Sequence, residues 1–401
     1  MSRRERVRVK VRTLLREPPP IWPKFSSSLH HEAVTARVGR VLGIAFTICF
    51  ITGLLSHYQY GPWNWLPIPG APAWGYRLTQ GLHVTTGIAA IPLLLVKLWT
   101  VYPRLFSWPP ARNPLEGIER LSVGLLVGSA ILELFTGFIN ILGWYPWPWH
   151  FVIVHFLLAF VVAGSIMLHI AVKLETIKRG LATPLASVYP PAAEPGPGEN
   201  PPEAGAGITR RGLLITTGVS AAAVTLVTVG RTVSPLEPIG LLADRQPSRG
   251  PQRVPINTTA AEAKVTALLG DPDYRLHVLG PKPFELTLAE LETLERSGKH
   301  FPLACVEGWS VAAHWSGPTL LSLVERAGGS ADSHVRVESL QQGGSYRTST
   351  VFGPQLKQAL LATHLNGERI VHDHGYPVRL IAPNRAGVLN TKWLANVVVL
   401  G

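Results

Sequence analysis

The chain is short of cysteine and short of charge. Only 2 of its 401 residues are cysteine, so a disulfide framework is excluded. Cys305, alone in the polar C-terminal part, then requires its own explanation. Charged residues make up 15% of the sequence, against roughly 25% in an ordinary globular domain, which excludes a chain that is soluble along its whole length. What replaces them is apolar, at 46% of all residues. The excess of base, 37 Lys plus Arg against 25 Asp plus Glu, borders the apolar runs and does not gather on one domain. That pattern marks membrane topology and argues against nucleic acid as a partner.

Five stretches are long enough for a hydrocarbon core of about 30 Å, which takes roughly 20 helical residues. They are Val38–His57, Leu78–Val101, Leu121–Leu142, Phe151–Val172 and Leu213–Gly230. Basic residues from Arg3 to Arg16 precede the first. Arg104 and Arg112 separate the second from the third, and Lys173, Lys178 and Arg179 follow the fourth, so these segments are expected in the cytoplasm. The connections Tyr58–Gly75 and Gly143–His150 lack Lys and Arg and carry Trp63, Trp65, Trp74, Trp144, Trp147 and Trp149, as an outer interfacial belt does.

The expected organisation is a basic cytoplasmic N-terminus (1–36), a four-helix transmembrane domain (37–178), a Pro/Gly/Ala-rich cytoplasmic linker (179–208), a fifth transmembrane helix (209–232) and an extracytoplasmic domain (250–401). The fifth helix opens with Thr209-Arg210-Arg211-Gly212-Leu213-Leu214, which reads either as a twin-arginine export signal or as an ordinary basic anchor. Both place the C-terminal domain outside, in a multi-pass protein of a bacterial-type cell membrane in contact with lipid. In that domain β-like runs at Tyr274–Leu279, His334–Glu338, Val378–Ala382 and Asn396–Leu400, with helices expected at Pro318–Ala327 and Pro354–His364, indicate a β-rich α+β fold.

Ionisable groups in lipid are costly and usually functional, which singles out His83, His155 and His169. His155 and His169 are 14 residues apart, close to four turns, so they share a helix face about 21 Å apart along the axis. His83 and His155 match in depth below the outer surface and are candidates to ligate one b-type haem, with His57 as an alternative ligand or quinone contact. Each is otherwise a hydrogen-bonded interhelical histidine. At the depth of His169 the first span offers Gly39, not histidine, so an inner haem lacks its second ligand. Glu133, in the third span, is a buried proton carrier or an interhelical hydrogen-bonding group.

Residues 30–178 resemble the di-haem cytochrome b subunits of formate dehydrogenases and nickel-iron hydrogenases. The resemblance implies an outer haem on His83 and His155, an inner one on His169, and exchange of electrons with quinone or quinol.

In the C-terminal domain Ala304-Cys305-Val306-Glu307-Gly308-Trp309-Ser310 reads as a strand end turning into a loop. A single thiolate is too few for zinc or an iron–sulfur cluster, and a buried structural cysteine accounts for it equally well. The run Cys305–Ser310, Tyr346-Arg347-Thr348-Ser349, Leu365-Asn366-Gly367, His374-Gly375-Tyr376-Pro377-Val378-Arg379-Leu380 and Asn390-Thr391-Lys392-Trp393-Leu394 is similar in order and spacing to the molybdopterin domain of the sulfite oxidase family. The block around the cysteine looks most like the periplasmic methionine-sulfoxide reductase branch.

That resemblance implies that Cys305 ligates molybdenum, that His374, Arg379 and Lys392 hold the pterin and its phosphate, and that Tyr346 stands beside the metal. Trp309 and Trp315 line the pocket or the core. The competing reading of the basic residues is a strand surface paired to Asp373 and Glu368; a metal pair at His372 and His374 is a further one. Where sulfite-oxidising members carry anion-binding arginines, this chain has Glu307-Gly308-Trp309 and Val388-Leu389-Asn390, which disfavours an oxyanion substrate. The expected function is a membrane-bound molybdopterin-dependent oxidoreductase that passes electrons between the quinone pool, haem b and molybdenum, reducing a small S- or N-oxide. The alternative is a haem b electron carrier with a non-catalytic C-terminal binding domain.

Overall fold

The computed structural model describes residues 28–61, 65–109, 111, 113–149, 151–185, 209–229, 232, 234–242, 245–246 and 249–400. The basic N-terminal segment 1–27, most of the Pro-rich linker (186–208), Trp63, Arg112 and His150 lie outside these residues. Among the described residues five helices are long and apolar enough to cross a membrane: α1 (Glu32–Tyr60), α2 (Gly75–Leu105), α3 (Pro114–Ile141), α4 (Phe151–Ala182) and α5 (Arg210–Val229). They overlap the five expected spans and extend beyond most of them. Asn113 caps α3 by accepting from the Glu116 amide, with Pro114 at the first helical position, where its missing N–H costs nothing.

The chain divides into two compact units, residues 1–50 with 86–225 and residues 51–85 with 226–401. The first is helical. Its contact residues are small or aliphatic, Leu42, Ala45, Ala90, Leu93, Ala130, Val162 and Ala221 among them, which permits close helix approach in an apolar solvent. Large apolar side chains such as Ile44, Leu121, Leu157 and Met167 face outward, the arrangement expected where the surroundings are lipid and not water. Arg37 donates to the carbonyls of Gly180, Leu181 and Thr183, capping the C-terminal end of α4 with a cation.

The second unit carries the β-rich domain. Strands β1 (Arg275–Leu279), β2 (Phe284–Thr287), β3 (Ser297–Ala304) and β4 (Ser310–Gly317) are followed by β5 (Val335–Ser339), β6 (Thr348–Val351), β7 (Leu360–Ala362), β8 (His364–Leu365), β9 (Glu368–Arg369), β10 (Arg379–Ile381) and β11 (Leu394–Val399). They form sheets ordered β2-β1-β11-β5-β6, β3-β4-β8-β9 and β10-β7. Period-two burial turns Leu276 and Val278 of β1 and Val335 and Val337 of β5 into one core, which Leu394 and Val397 of β11 join across an irregularity between Leu394 and Asn396 that spaces them by three. Each such aliphatic side chain contributes about 1.5–3 kcal/mol when fully buried. Short helices α6 (Leu288–Thr293) and α7 (Leu320–Arg326) add Leu291, Leu320, Leu323 and Val324 to the same core, the former on a Thr287/Glu290 capping box.

The helix expected at Pro354–His364 does not form. Only Gly353–Leu356 is helical (α8), and Leu360–Ala362 is the strand β7, paired antiparallel with β10. All three residues of β7 are buried. A run that buries every side chain suits a strand covered on both faces better than a helix with one wet side.

Candidate functional site

Two turns build the site. The first follows β3, where Cys305 leaves the strand, Gly308 donates its N–H to the Cys305 carbonyl, and Cys305 donates its own to Trp309. Gly308 has φ +88°, a region that a side chain disfavours. The second is the short turn His372–His374, ended by Gly375 at φ +114°. A Cβ on Gly375 would stand 3.1 Å from the Cβ atoms of both Arg379 and Lys392, so a bare backbone there lets the three basic residues converge.

Cys305, Trp309, His374, Arg379 and Lys392 line one narrow cleft, together with Asn257. Cys305 is 1% exposed. Burial and the neighbouring Glu307 carboxylate push its thiol well above the ordinary range, so it needs a cation to ionise. The Glu307 carboxylate also accepts from Trp309 Nε1 at 3.1 Å and pairs with Arg245.

The basic residues are packed against carbonyl groups and lack acidic partners. Arg379 donates to the carbonyls of Asn390 and His374 at 3.1 and 3.2 Å. Lys392 donates to Thr258 and Asp373 carbonyls at 2.5 and 3.0 Å and to Asn257 Oδ1 at 3.3 Å. Among the described residues no carboxylate stands within ion-pair distance of either, and Glu368 is exposed. The strand-surface pairing with Asp373 and Glu368 is therefore not what forms. Burial lowers Arg379 to about 9 and Lys392 to about 7. Buried cations without counter-charge are costly, and an anion relieves the cost.

Burial also holds His374 down to about 4. Its Nε2 lies 2.7 Å from the Pro251 carbonyl. A carbonyl only accepts, so Nε2 carries the proton and Nδ1 is left as an acceptor. His372 is exposed and packs on Tyr376, whereas His374 is buried. They lie on a helical turn and not on one strand face, and no group of three or more His, Cys, Asp or Glu suited to a metal occurs among the described residues.

Trp315 is fully buried, with Arg379 over its ring at 5.5 Å, and belongs to the core and not to the cleft lining. Tyr346 lies in the turn before β6, not on the strand. It hydrogen-bonds Tyr60 at the end of α1, their rings edge to face at 5.8 Å, and both stand in the electrostatic neighbourhood of Tyr76. Tyr60, Tyr76 and Gln80 are site neighbours that sequence reading missed, since aromatic residues beside a Trp-rich connection look like interface anchors.

A further omission is Arg385, which is 5% exposed and, among the described residues, has only the Thr350 carbonyl as acceptor, at 3.3 Å. Its Nε and Nη1 are buried without partners. Arg385 precedes the cleft residue Gly387 by two positions but is not itself among the residues that line the cleft.

The membrane histidines differ among themselves. His83 packs into a space that a Cβ on Gly53 would fill at 2.9 Å, so glycine makes room for a ring there. His155 lies 3.2 Å from Glu133 Oε1 through Nε2 and 3.0 Å from Thr136 Oγ1 through Nδ1. Those contacts match the interhelical hydrogen-bonding reading as they stand. Opposite Gly39, where an inner haem would want its second histidine, the space is taken by Lys97 Nζ, 2.8 Å from where a Cβ would be. Lys97 also stands in the electrostatic environment of His169. These residues do not fit an inner haem.

Residues 263–401 match the family described as oxidoreductase molybdopterin binding domain. The mitochondrial sulfite oxidase of Rattus norvegicus is 31% identical over 162 residues, covering 32% of this chain and 30% of the relative. The sulfite oxidase of Gallus gallus is 32% identical over 158 residues, covering 31% and 34%. The chain thus spans about a third of the length of the curated relatives it matches. The sulfane dehydrogenase SoxCD of Paracoccus pantotrophus aligns over 32% of this chain and 38% of its own, with 22% identity and a TM-score of 0.29. The C-terminal domain is a molybdopterin-binding oxidoreductase domain of the sulfite oxidase family, the relation its five sequence blocks led us to expect.

Proposed function

We propose, from a C-terminal domain that binds molybdopterin, that this chain is a membrane-bound molybdenum-dependent oxidoreductase that reduces a small S- or N-oxide with electrons drawn from quinol through haem b. The observation that carries the reading is the cleft itself: one buried thiol and three basic side chains without acidic partners converge where a dianionic phosphate and a soft metal would be held. Cys305 would supply the thiolate, and Arg379 and Lys392 would receive the phosphate. His374, neutral at physiological pH, would accept a hydrogen bond from a pterin N–H. Molybdenum, when bound, supplies two-electron oxygen-atom transfer.

The protein's part is position and polarity. Trp309 and Leu303 line the cleft and keep water from the thiolate. Burial and proximity to Cys305 keep the Tyr346 hydroxyl protonated above the usual tyrosine range, although the Tyr60 hydrogen bond opposes that shift. Tyr346 is thereby a donor at neutral pH. The reading of α1 to α4 as a haem-bearing domain rests on the sequence positions of His83 and His155 alone; the Glu133 and Thr136 contacts of His155 do not add to it. The domain order, the twin-arginine start and the outside placement of the C-terminal domain belong to the same proposal.

Purified full-length protein should contain molybdenum, pterin and one b-type haem per chain, by metal analysis and by the reduced-minus-oxidised optical spectrum. A full haem complement without molybdenum, after expression in a host that makes the cofactor, would favour the electron carrier with a non-catalytic binding domain. His83→Ala should abolish the haem band; its persistence would remove His83 from the ligand set.

One observation favours a second substrate class. The unpartnered Nε and Nη1 of Arg385 suit an anionic oxygen, and hydrogen bonds to charged groups contribute about 1.5–3 kcal/mol. If an oxyanion is the substrate, Arg385→Leu should lower its kcat/KM by roughly 10- to 150-fold, the equivalent of that range. Turnover of an uncharged sulfoxide should not change. A loss confined to neither class would leave Arg385 a structural residue.

A further inference from the structure

Tyr346 stands on a loop with little to hold it. Within Gln342–Arg347, between β5 and β6, every residue is exposed except Tyr346, which is half-buried. Gly344 has φ +98°, and a Cβ on Gly343 or Gly344 would meet nothing within 4 Å. Two adjacent glycines in open space give this stretch backbone freedom that packing does not remove. Its base is closed by Ser339, whose N–H donates to the Arg347 carbonyl at 2.8 Å. What holds the Tyr346 side chain comes from another segment: its hydroxyl is hydrogen-bonded to that of Tyr60, with the rings edge to face at 5.8 Å.

Tyr60, the last residue of α1, is by contrast firmly seated. Beside it, buried Gln59 donates through Nε2 to Asn384 Oδ1 at 2.7 Å, and its Oε1 accepts from Thr79 Oγ1 at 2.8 Å. Asn384 in turn donates to the Pro69 carbonyl at 2.9 Å. The Tyr60 ring packs on the cluster of Tyr76, Ala304 and Ala386, with Val306 in the same group, so it lies among the residues on either side of Cys305. An interfacial anchor would turn outward, as Trp65 and Trp74 do at 75% and 54% exposed. All these residues belong to one compact unit. The Tyr60 bond eases ionisation of Tyr346 against the effect of burial, the sign of a hydroxyl that accepts. A phenol that accepts from one neighbour keeps its own proton for a different acceptor.

We propose that Tyr60 is a positioning residue: by donating to the Tyr346 oxygen it fastens the glycine loop and leaves the Tyr346 hydroxyl proton directed at the oxygen of a substrate bound beside Cys305. The proposal rests on the molybdenum reading given above, with Tyr346 as a hydrogen-bond donor. An S-oxide oxygen gains negative charge as its bond to sulfur breaks, so a donor fixed in advance favours the transition state over the bound substrate. Neither tyrosine changes oxidation state or loses its proton; Tyr60 acts only through the placement of Tyr346.

The test uses full-length, molybdenum-loaded protein in detergent, with a reduced viologen dye as electron source and a dialkyl sulfoxide as substrate. Tyr60→Phe keeps the ring and removes the hydroxyl. It should lower kcat roughly 3- to 10-fold, the worth of one neutral hydrogen bond, with KM and molybdenum content unchanged. Tyr346→Phe should lower kcat at least as much, and Tyr60→Phe should then cost nothing more in that background, whereas two independent structural defects would multiply. Limited trypsin digestion of the cofactor-free protein gives a readout apart from activity. Cleavage after exposed Arg347 should quicken roughly 3- to 10-fold in either variant, because it follows the population of the opened loop. Tyr346→Phe breaks the same bond from the other side, so its digestion decides alone if Tyr60→Phe fails to fold. Parent-like cleavage in both variants, a parent-like kcat in Tyr60→Phe, or a Tyr60→Phe defect that persists without the Tyr346 hydroxyl overturns the proposal by itself. A parent-like kcat in Tyr346→Phe overturns it together with the reading of Tyr346 as a donor.

Discussion

Cys305→Ala should lose at least about 10³-fold in kcat with dye electrons, roughly 4 kcal/mol of transition-state stabilisation at 1.4 kcal/mol per tenfold. The loss should occur in a protein that still folds. Cys305 contributes one small buried side chain to its cluster, worth about 1 kcal/mol, while the turn around it is held by main-chain bonds from Gly308 and to Trp309 that alanine retains. Pterin should remain bound, because its proposed anchors, Arg379 and Lys392, are untouched. The measurement is kcat beside pterin and molybdenum content and thermal midpoint. Retained activity would remove the thiolate from the mechanism.

Lys392→Met should have the opposite pair of effects, a more stable cofactor-free protein that cannot hold its cofactor. In the folded chain burial lowers Lys392 to about 7 from an ordinary 10.5. Between those values the unfolded chain binds the extra proton, so stability of the cofactor-free protein should rise with pH from about 7 toward 10. Below about 7 the penalty is constant, on the order of a few kcal/mol. Methionine carries no proton to lose, so the part of the slope that the lysine contributes should vanish and the midpoint at pH 7 should rise. A bound phosphate dianion restores the lysine's affinity for its proton, so the loaded parent protein should also be flat in this window. Thermal midpoints of the full-length protein from pH 6.5 to 9.5, with and without cofactor, test this. A cofactor-free parent with no slope would show the ammonium to be solvated. This is a trade of stability for binding, of the kind common at functional sites.

Much of the C-terminal domain was legible because its elements are local. Alternating burial in β1 and β5, the Thr287 capping box and the glycines at 308 and 375 are each written within a few residues. The convergence of Cys305, Trp309, His374, Arg379 and Lys392 was reached through the order of five sequence blocks and not through periodicity, which carries no information about contacts 70 residues apart. The helix expected at Pro354–His364 failed because Leu-Leu-Ala fits either period and only the pairing with β10 settles it. Arg385 went unnoticed because an exposed arginine and a buried one read alike in sequence.

By itself the sequence determined where apolar surface must be buried or left to lipid, because hydropathy acts on the nearest twenty residues; five long helices and a β-rich tail follow from that alone. Only the tertiary structure decided what lies against Cys305. The ends of α1 and α2, with Tyr60, Tyr76 and Gln80, join the C-terminal domain's compact unit across more than 200 residues of chain. The desolvation that leaves Arg379 and Lys392 without counter-charge likewise exists only once the chain has folded around them. Local pattern fixes elements, whereas burial and electrostatics belong to the surroundings that distant segments supply.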